Sequence, residues 1–442
     1  MMSSTTLECL PPGPEEQFSL TVNQESLAFL ERAIPVYGNM FRVQSADRSD
    51  DSFVLLDPEH IKHVLITNSA NYRKGIGFER VKMLLGNGII VSDGEMWRRQ
   101  RTMLQPAFKQ ARIADLARHI KASSLALRDE WRVLARTGAT IDITTAMSRF
   151  GLDVILRCIF SDDLDAICTK AGGNPFAFLA DEAARDLNMA KRFRELSQLI
   201  KECVEQRRSS GARPADFLSD MVDARDKRTG EGMSVREIVD EINTLIIAGH
   251  ETSSGTLNWA WYLIARHPEV EARLLAELKA GIQDSDLQIG EVMNLNYMRH
   301  MLLETLRLYP PVWLYTRRAI ANDQLGDYAV PAGSHIYLSP YLLHRQPDLW
   351  PDPERFDPAR FTGVNAEQRH RNAYIPFSAG ARRCIGEHFA FVEMQILLAT
   401  MLREFRLRHV PDKPIKIDLA INLRTLYPIH MAIEPRSPET TL

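Results

Sequence analysis

A chain of 442 residues with 45% hydrophobic and 25% charged side chains has the composition of a folded globular protein with enough apolar material for a large core. Its formal net charge of -3 gives no basis for a polyanion partner, so nucleic acid is not expected. The five cysteines, Cys9, Cys158, Cys168, Cys203 and Cys384, are odd in number and widely spaced, with no C-x-x-C pair; this argues against a disulfide framework or a zinc cluster and predicts a reduced, cytoplasmic protein.

Residues 1–20 carry Glu8, Glu15, Glu16 and the run Leu10-Pro11-Pro12-Gly13-Pro14, without a long apolar block. Neither a signal peptide nor a transmembrane anchor is expected there, and no later segment is apolar for long enough to span a bilayer. Phe53-Val54-Leu55-Leu56, closed by Asp57-Pro58, reads as a strand followed by a turn. From about residue 95 the pattern is mainly helical. Apolar residues at Met147, Phe150, Leu152, Val154, Ile155 and Cys158 predict a buried helix over 145–160. Residues 234–266 form the most informative helix: Ser234 and Glu237 make a capping box, and a proline-free apolar pattern runs to His267-Pro268. It is long, and apolar on more than one face near its middle, which predicts a central position. Helices follow over 269–280 and 297–308, the second stopped by Pro310-Pro311. Ile336-Tyr337-Leu338 predicts a strand, 347–361 an ordered loop, 388–405 an amphipathic helix, and 415–433 a return to short strands. With no repeat and no low-complexity linker, the expectation is one large, mainly α domain over 1–442 with a minor β-sheet region.

The chemistry concentrates at Phe377-Ser378-Ala379-Gly380-Ala381-Arg382-Arg383-Cys384-Ile385-Gly386. Glycine lets backbone approach a flat ligand closely and adopt positive φ. A cysteine just before a helix N-terminus lies in a positive field that favours its thiolate, and Arg382 can meet an anionic group on the same ligand. A structural cysteine in a glycine-containing turn would leave the arginine and both glycines at fixed offsets unexplained. Residues 377–386 resemble the F-x-x-G-x-R-x-C-x-G haem-binding pattern of the cytochrome P-450 family at every specified position. The resemblance implies the P-450 fold, a haem b whose iron is held by Cys384 as thiolate, and contacts from Phe377, Gly380, Arg382 and Gly386.

Three further motifs follow the family order. Glu304-Thr305-Leu306-Arg307 resembles its Glu-x-x-Arg element, and Pro353-Glu354-Arg355-Phe356 its later meander; the resemblance implies a structural triad of Glu304, Arg307 and Arg355. Trp97-Arg98-Arg99-Gln100-Arg101 resembles W-x-x-x-R. Spacing of four places Trp97 and Arg101 on one helix face, where indole and guanidinium N–H groups suit haem propionates; a basic surface helix with a core tryptophan explains the same short pattern. Arg317 falls at a further propionate position of the family. Ala248-Gly249-His250-Glu251-Thr252 resembles A-G-x-[DE]-T; the resemblance implies that small Ala248 and Gly249 leave room for dioxygen, that Glu251 and Thr252 relay protons and that His250 points away from the iron, while polar residues merely facing a cavity would explain Glu251 and Thr252 as well.

The resemblance thus implies a monooxygenase that inserts one oxygen atom of O2 into a hydrophobic small molecule, a fatty acid, terpenoid or polyketide-like compound, and the wording around Thr252 is most similar to bacterial relatives of fatty-acid hydroxylases. Ile247, Ala248, Thr252, Trp313 and Leu314 are the expected substrate wall, with 423–426 as a further wall and 83–90 as a roof. NAD(P)H-derived electrons are expected through a separate ferredoxin or flavodoxin-type donor with its reductase, with Arg98, Arg99, Lys109 and Arg112 as a basic docking face. A monomer is the default. A haem-thiolate peroxygenase or isomerase, or a non-catalytic haem ligand sensor, are the alternatives; the acid–alcohol pair Glu251 and Thr252 favours the monooxygenase.

Overall fold

The computed structural model describes residues 9–180, 189–282 and 287–436. Chain contacts divide it into two compact units: 1–79 with 303–384 and 417–424, and 80–302 with 385–416 and 425–442. Helix dominates, at 56%.

The first unit is built on a five-stranded sheet, ordered Met40–Gln44, Asp51–Leu55, His335–Leu338, Tyr315–Ala319 and Tyr72–Lys74. Only the pairing of Asp51–Leu55 with His335–Leu338 is parallel. Phe53, Val54, Leu55, Ile336, Tyr337 and Leu338 are all buried, so the two central strands are covered on both faces and read as apolar runs instead of alternating. Asp57-Pro58 is a helix start and not a bare turn: the Asp57 side chain accepts from the amides of Glu59 and His60, and Pro58 occupies the first turn of Pro58–Lys62.

The second unit packs the helices Gln110–Arg136, Ile143–Phe160, Met189–Ser210, Val235–Arg266 and Glu387–Leu402. An antiparallel sheet of Thr140–Asp142, His430–Pro435 and Phe405–Val410, with His430–Pro435 in the middle, closes one edge. Val235–Arg266 has 32 residues, about 48 Å at roughly 1.5 Å per residue. The capping box forms: Glu237 N donates to Ser234 Oγ at 3.2 Å, and Ser234 N to Glu237 Oε2 at 2.7 Å. This helix crosses Ile143–Phe160 at two glycines. A Cβ on Gly249 would lie 2.8 Å from Ile155 Cδ1, and one on Gly151 would lie 2.3 Å from Ser254 Oγ. Glu387–Leu402 departs from the amphipathic expectation. Its residues are buried on every side from Phe391 to Leu402, as for a helix at the core of a large protein.

Among the described residues, no helix is long and apolar enough to cross a membrane.

Candidate functional site

In the first unit, residues 375–384 fold back on themselves. Ser378 N donates to Ile375 O at 3.0 Å, Arg383 N to Gly380 O at 3.1 Å, and Cys384 N to Phe377 O at 2.9 Å. Gly380 has φ +67, and a Cβ there would sit 2.0 Å from Leu65 O; no other residue fits both the backbone and the contact. The positive-φ requirement stops there among the two motif glycines. Gly386 lies at φ -88 as the N-cap of Glu387–Leu402, while the left-handed conformation is shared instead by Ser378 at φ +60. The turn leaves Cys384 exposed, whereas Cys158 and Cys203 are buried. Arg382 is half-buried at the end of the tight turn Gly380–Arg382.

The lead-in to this loop is held from behind. Ile375 N donates to Nε2 of the fully buried His344 at 3.0 Å. Burial holds the imidazole neutral, well below its usual range, and a neutral ring is what an Nε2 acceptor requires. The His344 carbonyl in turn accepts from Arg307 Nη1 at 2.9 Å. Arg307 forms a two-point pair with Glu304, at 2.7 and 2.8 Å, with both side chains fully buried. The Glu-x-x-Arg pair is therefore the base of a chain of hydrogen bonds that reaches the cysteine loop through His344. The expected third member is corrected. Arg355 is exposed, and what it offers Arg307 is its backbone carbonyl, at 3.1 Å. The second guanidinium at Glu304 belongs to Arg360, with Nε 3.4 Å from Oε1, and the Asp357 amide donates to the same oxygen at 2.9 Å. Arg317 is 6% exposed on its strand, with Nη1 donating to Thr316 O at 2.9 Å and the guanidinium 5.2 Å from the Tyr315 ring.

In the second unit, Ile247, Ala248, Glu251, Thr252 and Gly255 are half-buried in the middle of a helix whose neighbouring positions are mostly buried. Their spacing of one, four and eight residues makes one face. Thr252 Oγ1 donates to Ala248 O at 2.7 Å, which leaves the hydroxyl oxygen able to accept. His250 points the other way: it is 1% exposed, with Nε2 3.0 Å from Ser148 Oγ on the neighbouring helix. Gly249 faces Ile155 of that same helix. Trp97 and Arg101 lie one turn apart, both half-buried, on Gly94–Leu104, which Asp93 caps.

Two further sequence expectations concern Trp313 with Leu314 and the basic face around Arg98 and Arg99. Trp313 is fully buried, with its indole N–H donating to Ala420 O at 3.2 Å, and Leu314 is 4% exposed. The arginines of the basic face each have an acidic neighbour in their own unit. Arg99 pairs with Glu237 and with Asp226 at 3.3 Å, Arg112 with Asp220 at 2.8 Å, and Arg98 with Glu95. Lys109 is exposed.

Sequence reasoning missed Glu393, a carboxyl with no exposed surface on Glu387–Leu402. Neither of its oxygens has a partner of hydrogen-bonding geometry among the described residues. Burial pushes its carboxyl up to about 8, and the nearby Ser253 hydroxyl opposes the shift only in part. The signal was available: Glu393 and Gln395 are isolated polar residues in the run Phe391-Val392-Glu393-Met394-Gln395-Ile396-Leu397.

The residues fit a thiolate-bound haem. The first unit offers the exposed thiol of Cys384 on a loop whose glycine lies flush against Leu65, with Arg317 and Arg382 in the same unit. The second offers a small-residue face on its longest helix, together with Trp97 and Arg101. Within the first unit, the exposed Cys384 thiol and the guanidiniums of Arg317 and Arg382 suit an iron porphyrin bearing carboxylates.

Comparison with known proteins gives the same family. The family model described as Cytochrome P450 matches residues 16–172 and 173–427. Cyclooctatin synthase of Streptomyces melanosporofaciens is 33% identical, covering 96% of this chain and 95% of its own. Cyclooctat-9-en-7-ol 5-monooxygenase of the same organism is 32% identical, covering 91% and 90%. Among solved structures, the cytochrome P450DA heme domain aligns with TM-score 0.87 at 26% identity, over 98% of both chains.

Proposed function

This chain belongs to the cytochrome P450 family of haem-dependent monooxygenases, and from that premise we propose that it oxidises a cyclic, terpenoid-like hydrocarbon or alcohol, inserting one oxygen atom of O2. The haem, when bound, supplies dioxygen activation and attack on an unactivated C–H bond. Cys384 holds its iron as thiolate, favoured by the helix start that follows. Arg317 and Arg382 would bind its propionates, a role the family resemblance also gives Trp97 and Arg101, while Phe377, Gly380 and Gly386 would shape the loop beside it. Ala248 leaves space for dioxygen, and Gly249 lets the helix lie close to its neighbour. Glu251 would pass protons in from solvent, and Thr252 Oγ1, whose own proton is held by Ala248 O, would accept and orient one beside it. Ile247 supplies apolar surface to the substrate.

The observation that carries this reading is the half-buried face of Ile247, Ala248, Glu251 and Thr252 in the middle of a helix whose neighbouring positions are mostly buried. An acid and an alcohol on an apolar helix, beside an alanine and an isoleucine, suit proton delivery next to a hydrophobic molecule. The substrate class is supported by what the Streptomyces relatives are named for: one carries out 5-monooxygenation of cyclooctat-9-en-7-ol. Electrons come from NAD(P)H through a separate ferredoxin or flavodoxin and its reductase in the cytoplasm.

Titration of the ferric protein with cyclic terpene alcohols and with straight-chain fatty acids tests the substrate class. A shift of the Soret band with the cyclic alcohols, as they displace water from the iron, is expected. A shift with the fatty acids alone would overturn the terpenoid assignment.

A further inference from the structure

Residues 86–92, between the helices Phe78–Leu85 and Gly94–Leu104, are fastened to the start of the long helix by its acidic side chains. Asp240 Oδ2 accepts from Asn87 N at 2.8 Å, and Glu241 Oε2 accepts from Ile89 N at 2.9 Å. Gln100 Nε2 closes the third side by donating to Asn87 O at 2.8 Å. Two glycines let the backbone descend onto the helix. Gly86 has φ +77, and a Cβ there would lie 2.1 Å from Asp240 Oδ1; a Cβ on Gly88 would lie 2.2 Å from Thr244 Oγ1 and 2.7 Å from Asp240 O.

The loop is therefore seated on Asp240, Glu241 and Thr244. Thr244 lies one turn before Ala248 and two turns before Thr252, on the same face. It is 1% exposed, whereas Ile247, Ala248, Glu251 and Thr252 are half-buried. The loop covers this face as far as Thr244 and ends where the face becomes accessible. Its edge there is apolar: Ile89 is 8% exposed, and Ile90 is half-buried.

Glu241 is an expensive way to hold one amide. It has no exposed surface, and its Oε1 lacks a partner among the described residues, as do the buried Thr244 Oγ1 and Gln100 Oε1. A buried carboxyl with one oxygen unsatisfied costs stability, and a packed apolar side chain would stabilise the same space better. What the carboxyl supplies is a fixed height for the loop above the helix.

We propose that Asp240 and Glu241 are positioning residues that set how closely residues 86–92 approach the long helix, and thereby the width of the substrate space beside Ile247. This rests on the monooxygenase reading and assigns to that site the residues that size it. The clamp selects for bulk and leaves haem binding untouched.

The test compares Glu241→Gln, which keeps an oxygen acceptor of the same shape, with Glu241→Leu, which removes it, in the haem-loaded full chain. Hydrogen exchange over 86–92 reads the clamp. Soret titration with imidazole and with 4-phenylimidazole reads the space, because both bind the iron and only the second carries bulk. The ferrous–CO spectrum reads the thiolate. In Glu241→Leu, exchange at Ile89 is expected to rise about tenfold, the value of one hydrogen bond. Affinity for 4-phenylimidazole should change by a similar factor, imidazole affinity should stay within about twofold, and the thiolate–CO band should persist. Glu241→Gln should restore the parent pattern. Gly88→Ala lifts the loop with every carboxyl in place, so it should reproduce the pattern if the leucine variant does not fold. Unchanged exchange would refute the clamp. Faster exchange with both azoles unaffected would refute its role in sizing the site. A parent protein without the thiolate–CO band would overturn the haem reading itself, and the proposal with it.

Discussion

Cys158 and Cys384 put one side chain to opposite uses. Cys158 has no exposed surface, and burial pushes its thiol well above the usual range, so it is a small apolar core residue. Cys384 is exposed before a helix start, where a thiolate is favoured. The motif around Cys384 was legible because its meaning lies in local spacing. The partner of Glu304 was not. Arg355 and Arg360 stand five residues apart in a segment with no periodicity, and only the tertiary path of the chain turns Arg360 inward. Urea unfolding checks the assignment: Arg355→Ala should stay within about 0.5 kcal/mol of the parent. Arg360→Ala should cost about 1 kcal/mol, and Arg307→Ala about 3–5 kcal/mol, because it strands Glu304 in the core. The setting of Trp313 was not legible for a related reason: an aromatic after a Pro-Pro break can pack inward or line a cavity, and the Ala420 carbonyl that captures its N–H is more than one hundred positions away in sequence. Thr252→Ala should keep NAD(P)H consumption while product falls and hydrogen peroxide accumulates, measured as the ratio of the two products. Retention of full coupling would remove Thr252 from proton delivery.

At the scale of elements, the long helix was readable from end to end, with its capping box and its stop, because both are written in contiguous residues. Its contact with Ile143–Phe160 was not, since a glycine in a helix pattern does not reveal what it touches. Gly151→Ala tests the crossing. Alanine gains about 1 kcal/mol of helix propensity, yet its Cβ would lie 2.3 Å from a Ser254 hydroxyl that is itself bonded to His250 O. Overpacking of this kind costs about 1–3 kcal/mol, so the thermal midpoint should fall; a rise would show that the helices separate freely. The helix after Cys384 was misread as amphipathic because His388, Glu393, Gln395 and Thr400 interrupt its apolar run. One of these is met by distant chain: Gln395 Nε2 donates to Val292 O at 3.0 Å and Leu295 O at 3.2 Å.

For the whole molecule, the two buried carboxyls Glu241 and Glu393 set a pH dependence of stability. Burial raises both from 4.5 in the open chain to about 8 in the fold. Between those values the folded protein keeps protons that the unfolded chain has lost, so stability falls as pH rises. Each group contributes at most about 1.4 kcal/mol per pH unit to that slope. Unfolding midpoints should therefore decline from about pH 5 to about pH 8. Glu393→Gln should flatten the decline; an unchanged slope in that variant would show that Glu393 already ionises in the folded state.

The central claim, that this chain is a monooxygenase and not a haem protein of another kind, is tested most directly by turnover under isotopically labelled dioxygen, with NAD(P)H, a ferredoxin and its reductase, and a cyclic terpene alcohol that shifts the Soret band. One labelled oxygen atom per product molecule is expected, with the label absent when NAD(P)H is withheld. Product that forms only with added peroxide and carries no label from dioxygen would contradict it.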